Sequence, residues 1–317
     1  MLGQIADLGA DAVLISNAGY QEHAGSDSFK IDPAVTPSPE QWEQIFKIAH
    51  DNGLRVILMP IILLSNPRGT EWRGVIAPPS WDDWMEQYRE FLLHFARIAA
   101  KNNVEVFMIG SELISAEKSV HVDKWRQLIR EVRKTFKGKL SYSSNWDHYK
   151  IVEFWDDLDL VGMTSYYKLS NEPNPSMETL TEAWKPIRRG LLRWQSEIGK
   201  PLLFTEVGWC SQEGTSIEPW NYYHDSKATK AGLEEQARCY RAFMETWKDE
   251  IFNGKDSAVG GVIWWEWMNV PGGPEDYNYI PKGKPAEKEL RNWFATLREK
   301  RTNPAKAPQP KAEVKSP

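Results

Sequence analysis

The chain has 317 residues, of which 41% are hydrophobic and 26% charged, and its net charge is −5. That apolar content supports a packed core and excludes a chain disordered throughout. The negative balance gives no electrostatic reason for a nucleic-acid partner. No apolar run approaches the roughly 20 residues that span a bilayer, so no membrane partner is expected.

In chain order, residues 1–9 read as the last turns of a helix closed by Gly9, a residue that adopts the left-handed cap conformation without strain. Short apolar runs then recur at 11–16, 54–60, 104–112, 139–145, 158–166, 201–206 and 259–266, and read as strands. Each except the last is followed by a loop and a helical pattern. Trp42, Ile45, Phe46 and Ala49 keep three-and-four spacing, as do Trp81, Trp84, Met85, Tyr88, Phe91, Leu92 and Phe95, and Tyr240, Phe243, Met244 and Trp247. Trp42, Trp84, Trp125 and Trp184 lie within such patterns and are expected to pack in the core. The two cysteines, Cys210 and Cys239, are too few for a disulfide framework, and their spacing does not say whether they pair.

Strands alternating with helices imply a parallel sheet with crossover helices. No glycine-rich phosphate fingerprint follows a strand, so a (β/α)₈ barrel is favoured over an open doubly wound sheet. The strands number seven. A helix leading into strand 11–16 should itself follow a strand, so the first strand of the barrel is expected to be missing from this chain. Such a barrel would leave two strand edges unpaired beside an apolar interior. Residues 1–300 are expected to form this single, N-terminally incomplete catalytic barrel, and residues 301–317, rich in Pro and Lys, a disordered tail. The compartment stays open, because a signal peptide would sit upstream of the missing strand.

Two strand-end acids carry the chemistry. Glu112 closes the run Val104–Glu112 and Glu206 closes Pro201–Glu206. Strand C-termini point into the active-site mouth of a (β/α)₈ barrel. Numbered with a missing first strand, these two become strands four and seven, which face each other across the mouth. A facing carboxylate pair is what glycoside hydrolysis requires, about 5–5.5 Å apart in retaining enzymes. Either Glu alone could equally be a solvated loop acid; the pairing is the signal. Such chemistry needs no metal or organic cofactor, and the six histidines show no zinc-protease spacing.

Alternation along the strands nominates neighbours. In 158–167, Val161 and Met163 should pack on helices, leaving Gly162, Thr164 and Tyr166 toward the barrel axis. Tyr166 could then donate a hydrogen bond that keeps the nucleophile ionised. In 139–145, Ser141, Ser143 and Asn145 share a face opposite Leu140 and Tyr142, making Asn145 a candidate sugar contact or a turn residue. Asn17, just past strand 11–16, is a further candidate contact. Trp146, Trp209, Trp264 and Trp265 fall at or beyond strand ends, where flat rings suit the apolar faces of pyranoses. One of Trp264 and Trp265 should face the cleft and the other pack outward. Glu266 is a third strand-end acid, ranked as a ligand of sugar hydroxyls and not as a catalyst.

At these residues the sequence resembles glycoside hydrolase family 113, a clan A retaining family of (β/α)₈ barrels acting on β-1,4-mannans. The landmarks are Ile109–Leu113, Ser141–Trp146, Leu160–Tyr167 and Phe204–Trp209, together with Ala49–Leu58 and the aromatic final strand. They run in order over about residues 1–300. The resemblance implies Glu112 as acid/base, Glu206 as nucleophile, and Trp72 and Arg73 beside the sugar cleft. It implies an oligo- or polysaccharide substrate, β-mannan or glucomannan; a monomer is expected, though the sequence does not give the oligomeric state. Two positions depart from the pattern. Ser111 stands where clan A enzymes often have Asn, which changes one substrate contact, and Ile61, Ile62, Leu63 and Leu64 follow Pro60 where polar residues would be expected. A β-glucan or other β-glycoside hydrolase on the same barrel, and a carbohydrate-binding pseudoenzyme, remain open alternatives.

Overall fold

The structure is a computed structural model that describes residues 1–252 and 257–302. A short helix α1 (Leu2–Leu8) is closed by Gly9 in the left-handed conformation, φ 116°. Then follow β1 (Ala12–Gln21), β2 (Phe29–Ile31), α2 (Pro39–Asp51), β3 (Arg55–Leu64), α3 (Trp81–Lys101), β4 (Val106–Ser111) and α4 (Val122–Thr135). The second half comprises β5 (Lys139–Ser144), β6 (Val161–Thr164), α5 (Met177–Ile198), β7 (Leu202–Val207), α6 (Lys230–Phe252), β8 (Val259–Trp264) and α7 (Pro285–Thr302). The helices start at side-chain caps where the sequence supplies them. Ser38 and Gln41 form a reciprocal capping box before α2, and Ser80 and Ser176 accept from Asp83 N and Thr179 N at the starts of α3 and α5.

One curled sheet runs in the order β2-β1-β3-β4-β5-β6-β7-β8. All pairings are parallel except β1 with β2, an antiparallel hairpin registered at Tyr20 and Lys30. The seven parallel strands are those the apolar runs predict, wrapped by helices as a (β/α)₈-type barrel. β2 is an addition, and α7 corrects the expectation that no helix follows the final strand. Arg301 and Thr302 belong to α7; the rest of the expected tail lies outside the described residues. Between β1 and β8, which do not pair among the described residues, runs an apolar groove of about 770 Å³, lined by Ile5, Val13, Ile15, Ile263, Trp264 and Phe294 among others. This is where an eighth parallel strand would complete the ring.

The core has two layers. Outside the sheet, Trp42, Trp84, Trp125, Trp184 and Trp247 are fully buried beneath the helices, and Val161 and Met163 point into this layer. Inside the barrel, Ile57, Met59, Met108, Leu160 and Leu203 form a compact plug with Leu14 and Ile263. Above the plug the interior turns polar: Ser143 Oγ lies 2.6 Å from Thr205 Oγ1, across the interior from β5 to β7. That change from apolar floor to polar mouth follows from the alternation of each strand and sets the level at which a polar ligand can sit. Cys210 and Cys239 are both buried and unpaired.

Candidate active site

Glu112 follows the last residue of β4 and is 7% exposed. Its backbone is left-handed, φ 53°, an uncommon state for a residue with a side chain. The surroundings hold it there. Glu112 N donates to Ser143 O at 2.8 Å, Leu113 N donates to the Tyr142 hydroxyl at 2.8 Å, and Ala116 N returns to Leu113 O at 2.8 Å. The strand thus stops abruptly and turns its terminal acid into the mouth. Arg73 Nη2 donates to Glu112 Oε2 at 2.5 Å.

Arg73 comes from the loop after β3. It is set by a short 3₁₀ turn in which the Trp72 ring lies on Gly74, where any Cβ would overlap the indole. Ser115 N and Oγ both donate to Gly74 O, at 3.1 and 3.0 Å, tying this turn to the loop that carries Glu112. The Arg73 guanidinium also sits 5.9 Å from the Trp72 ring centre, within cation–π reach.

Glu206 lies within β7, is 5% exposed, and accepts a hydrogen bond from the Tyr166 hydroxyl at 2.7 Å. Burial pushes its carboxyl up, to about 8. The charge of Glu112 adds to this, Arg73 and the Tyr166 hydrogen bond pull it down, and Glu266 raises it slightly. Burial and the charge of Glu112 thus favour the protonated form of Glu206, against the pull of Arg73 and Tyr166. Glu266 is half-buried and its carboxyl is raised by burial and by the Asp276 charge. Strand-end acids from β4, β7 and β8 therefore share one electrostatic environment.

The Glycoside Hydrolase Family 113 profile matches residues 1–278. The chain belongs to that family. Among solved structures it is similar to the GH113 β-mannanase AaManA from Alicyclobacillus acidocaldarius in complex with ManMIm, with 29% identity, TM-score 0.79, and 93% of this chain and 90% of that one covered. Two structures of a GH113 β-1,4-mannanase, one of them a complex, match at 27% and 28% identity, both with TM-score 0.78, over 93% of this chain and 92% and 91% of theirs. Comparison with curated proteins finds no match.

In this family 113 glycoside hydrolase the remaining expected residues divide. Asn145 is half-buried, and its side-chain oxygen accepts from Trp146 N and from Thr164 Oγ1, both at 3.1 Å. Trp265 packs with Tyr166, Cys210 and Tyr279 on the cleft side. Trp264 instead stacks on Tyr240 of α6, with ring centres 4.9 Å apart, and so packs outward. Asn17 Oδ1, Arg73 Nε and Ser111 Oγ are buried polar atoms without a protein partner.

One tryptophan needs correction. Trp209 is fully buried and lies edge-on to Tyr240, so it is a core residue and not a sugar platform. Gly208, directly after β7, lies against the Trp265 carbonyl oxygen, which an added Cβ would overlap. Trp146 is half-buried with one face covered by Trp220, at 5.8 Å and an interplanar angle of 19°. The open ring of that stack belongs to Trp220, 42% exposed.

Sequence reasoning missed Trp220, Tyr279 and Glu117. Glu117 is 2% exposed, and burial pushes its carboxyl up to about 7. Among the described residues no group of three or more His, Cys, Asp or Glu converges as metal ligands would.

Proposed function

We propose that this family 113 enzyme cleaves β-1,4-mannosidic linkages of β-mannan or glucomannan with retention, using Glu112 as acid/base and Glu206 as nucleophile. What carries the reading is the unequal support of two buried acids in one field: Tyr166 hydrogen-bonds Glu206, while Arg73 pairs with Glu112.

In the first step the Glu206 carboxylate attacks the anomeric carbon as the bond to the leaving oxygen breaks, and Glu112 gives its proton to that oxygen. In the second, Glu112 takes a proton from water. The water oxygen bonds to the anomeric carbon and Glu206 departs as carboxylate. The first step needs the proton on Glu112, with Glu206 ionised, when substrate is bound. Tyr166 favours this by donating to the ionised form of Glu206. Arg73 on Glu112 favours the reverse, so the filled cleft must draw Arg73 from Glu112 onto a sugar hydroxyl. Asn145, Trp265 and Glu266 are the remaining groups we assign to the sugar, with Asn17 and Ser111 offering their unpaired polar atoms. The mannan preference rests on the likeness to the GH113 β-mannanases.

The test is reducing-sugar release from β-mannan, glucomannan and β-glucan, with the anomer of the first product followed by NMR. β-Product from mannan, lost in both Glu112→Ala and Glu206→Ala, supports the assignment. α-Product would sink the retaining mechanism. Preference for β-glucan would sink the substrate. Binding without turnover by the folded protein would make it a carbohydrate-binding pseudoenzyme.

A further inference from the structure

The turn that presents Glu112 is held from behind by a second buried acid that does not face the cleft. Glu117 Oε1 accepts from the Tyr142 hydroxyl at 2.7 Å and from Ser144 Oγ at 3.4 Å. Its other oxygen, Oε2, is buried without a partner. The Tyr142 hydroxyl has one hydrogen. With that hydrogen committed to Glu117, its lone pairs are turned to accept Leu113 N, at 2.8 Å, on the residue directly after Glu112. The Tyr142 ring completes the grip. It lies against Gly110, where an added Cβ would come within 2.9 Å of the ring and 2.7 Å of the Tyr88 hydroxyl. Glu117 is also covalently close, since its own N–H closes the 113–117 turn by donating to Leu113 O at 3.1 Å.

A left-handed Glu112 persists only where the surroundings over-determine it, because such a state costs on the order of 1–3 kcal/mol. Three of the constraints on it converge on Tyr142 and its neighbour Ser143: the ring under Gly110, the hydroxyl on Leu113 N, and Ser143 O on Glu112 N. Glu117 fixes the hydroxyl's direction. We infer that Glu117 is a positioning residue for the acid/base, acting through Tyr142 and Leu113 N to aim the Glu112 carboxyl at the leaving oxygen. The inference rests on the proposed role of Glu112. It predicts that loss of Glu117 impairs proton donation and spares nucleophilic attack.

The experiment compares Glu117→Leu, Glu117→Gln and Tyr142→Phe with Glu112→Ala on two aryl β-1,4-mannotriosides. One carries a 2,4-dinitrophenyl group, which leaves without a proton, and the other a phenyl group, which needs one. General acid–base catalysis contributes about 10²–10⁴-fold, and misaiming should forfeit part of that. Glu117→Leu is expected to lower kcat/KM on the phenyl substrate by on the order of 10–100-fold while staying within about twofold on the dinitrophenyl one. Glu117→Gln keeps an acceptor oxygen for Tyr142 and should recover most of the loss. Tyr142→Phe, which removes the same link from the other side, should reproduce the split and serves if the Leu variant does not fold. Equal losses on both substrates, no loss on either, or a Gln variant as impaired as Leu would each overturn the inference. Glu112→Ala separates the two levels: if it shows no leaving-group split, the acid/base assignment itself has failed. If it shows the split and the Glu117 and Tyr142 variants do not, only the positioning role has.

Discussion

Arg73 and Glu112, 39 residues apart in sequence, form an ion pair at 2.5 Å inside the barrel mouth, with both side chains largely shielded from solvent. Partly buried pairs of this kind escape most salt screening, and the arginine's charge also reaches the second acid. Its charge lowers Glu206 against the burial that raises it. Removing it should push Glu206 further up. The acidic limb of the kcat/KM profile should therefore move to higher pH in Arg73→Ala, with activity at the optimum down at least about tenfold. A downward shift of that limb would contradict the role given to Arg73.

Tyr166 makes the complementary prediction. Its hydroxyl donates to Glu206 at 2.7 Å and lowers that carboxyl. A hydrogen bond to a charged group contributes about 1.5–3 kcal/mol, so Tyr166→Phe should lower kcat by on the order of 10–100-fold. The acidic limb should again rise. A loss confined to KM, with the limb unmoved, would show that Tyr166 contacts sugar and leaves the nucleophile alone.

Burial of Glu206 has a stability consequence whose sign can be worked out. Its folded pKa, about 8, lies above the ordinary value of 4.5. Between those two values the folded state binds more protons than the unfolded one, so its contribution to stability is full below about 4.5 and is lost as pH rises through about 8. Glu206→Gln removes that dependence. Its melting temperature should exceed that of the parent at pH 8 and the difference should vanish near pH 4. Equal melting temperatures at both pH values would mean that the carboxyl titrates normally.

Trp220 and Trp209 separate what exposure and burial do to the same residue type. Trp220, in the loop between β7 and α6, is exposed and stacks on Trp146. Trp220→Ala should raise KM for long mannans about 5–10-fold, a loss on the scale of ~1–1.4 kcal/mol, and leave the melting temperature unchanged. Trp209 is sealed against Tyr240, so Trp209→Ala should cost about 3–5 kcal/mol of stability, read by denaturant unfolding. The opposite pattern would return Trp209 to the cleft.

The reason Trp209 misleads a reader of the sequence is physical. Distance past a strand end predicts the mouth only if the side chain is turned that way, and two residues beyond β7 the Trp209 ring packs instead against Tyr240 of α6. The parallel strands were legible because fully buried strands are unbroken apolar runs. β2 was not, being three residues with Lys30 at its centre, and α7 was obscured by the twenty-residue stretch, 265–284, that separates it from β8. Glu112 and Glu206 could be found because a strand's end fixes an acid's position to first order. Glu117 and Tyr142 could not. Tyr142 correctly reads as facing away from the axis, yet its hydroxyl reaches back to Leu113 N, and that contact depends on the left-handed turn at Glu112. Alternation assigns faces and says nothing of what a long side chain reaches.

Gly208 itself offers the last test. Its φ is not in the left-handed region, so any cost of Gly208→Ala comes from contact alone. The added Cβ would overlap the Trp265 carbonyl oxygen and press on the Trp265 Cβ. A backbone oxygen cannot swing aside as a flexible side chain can, so the end of β8 must move. Trp265 N is held by Val207 O at 2.8 Å and its ring packs with Tyr166, the partner of Glu206. Overpacking of this kind costs about 1–3 kcal/mol, and the displacement passes directly to the nucleophile. Gly208→Ala should therefore lower both stability and kcat. Gly190 is the control: it is exposed within α5, and a Cβ there meets nothing within 4 Å. Gly190→Ala should raise stability by about 0.5–1 kcal/mol through helix propensity with kcat unchanged. If the two variants behaved alike in both assays, the close approach of β7 and β8 beneath the acid pair would not be what positions it.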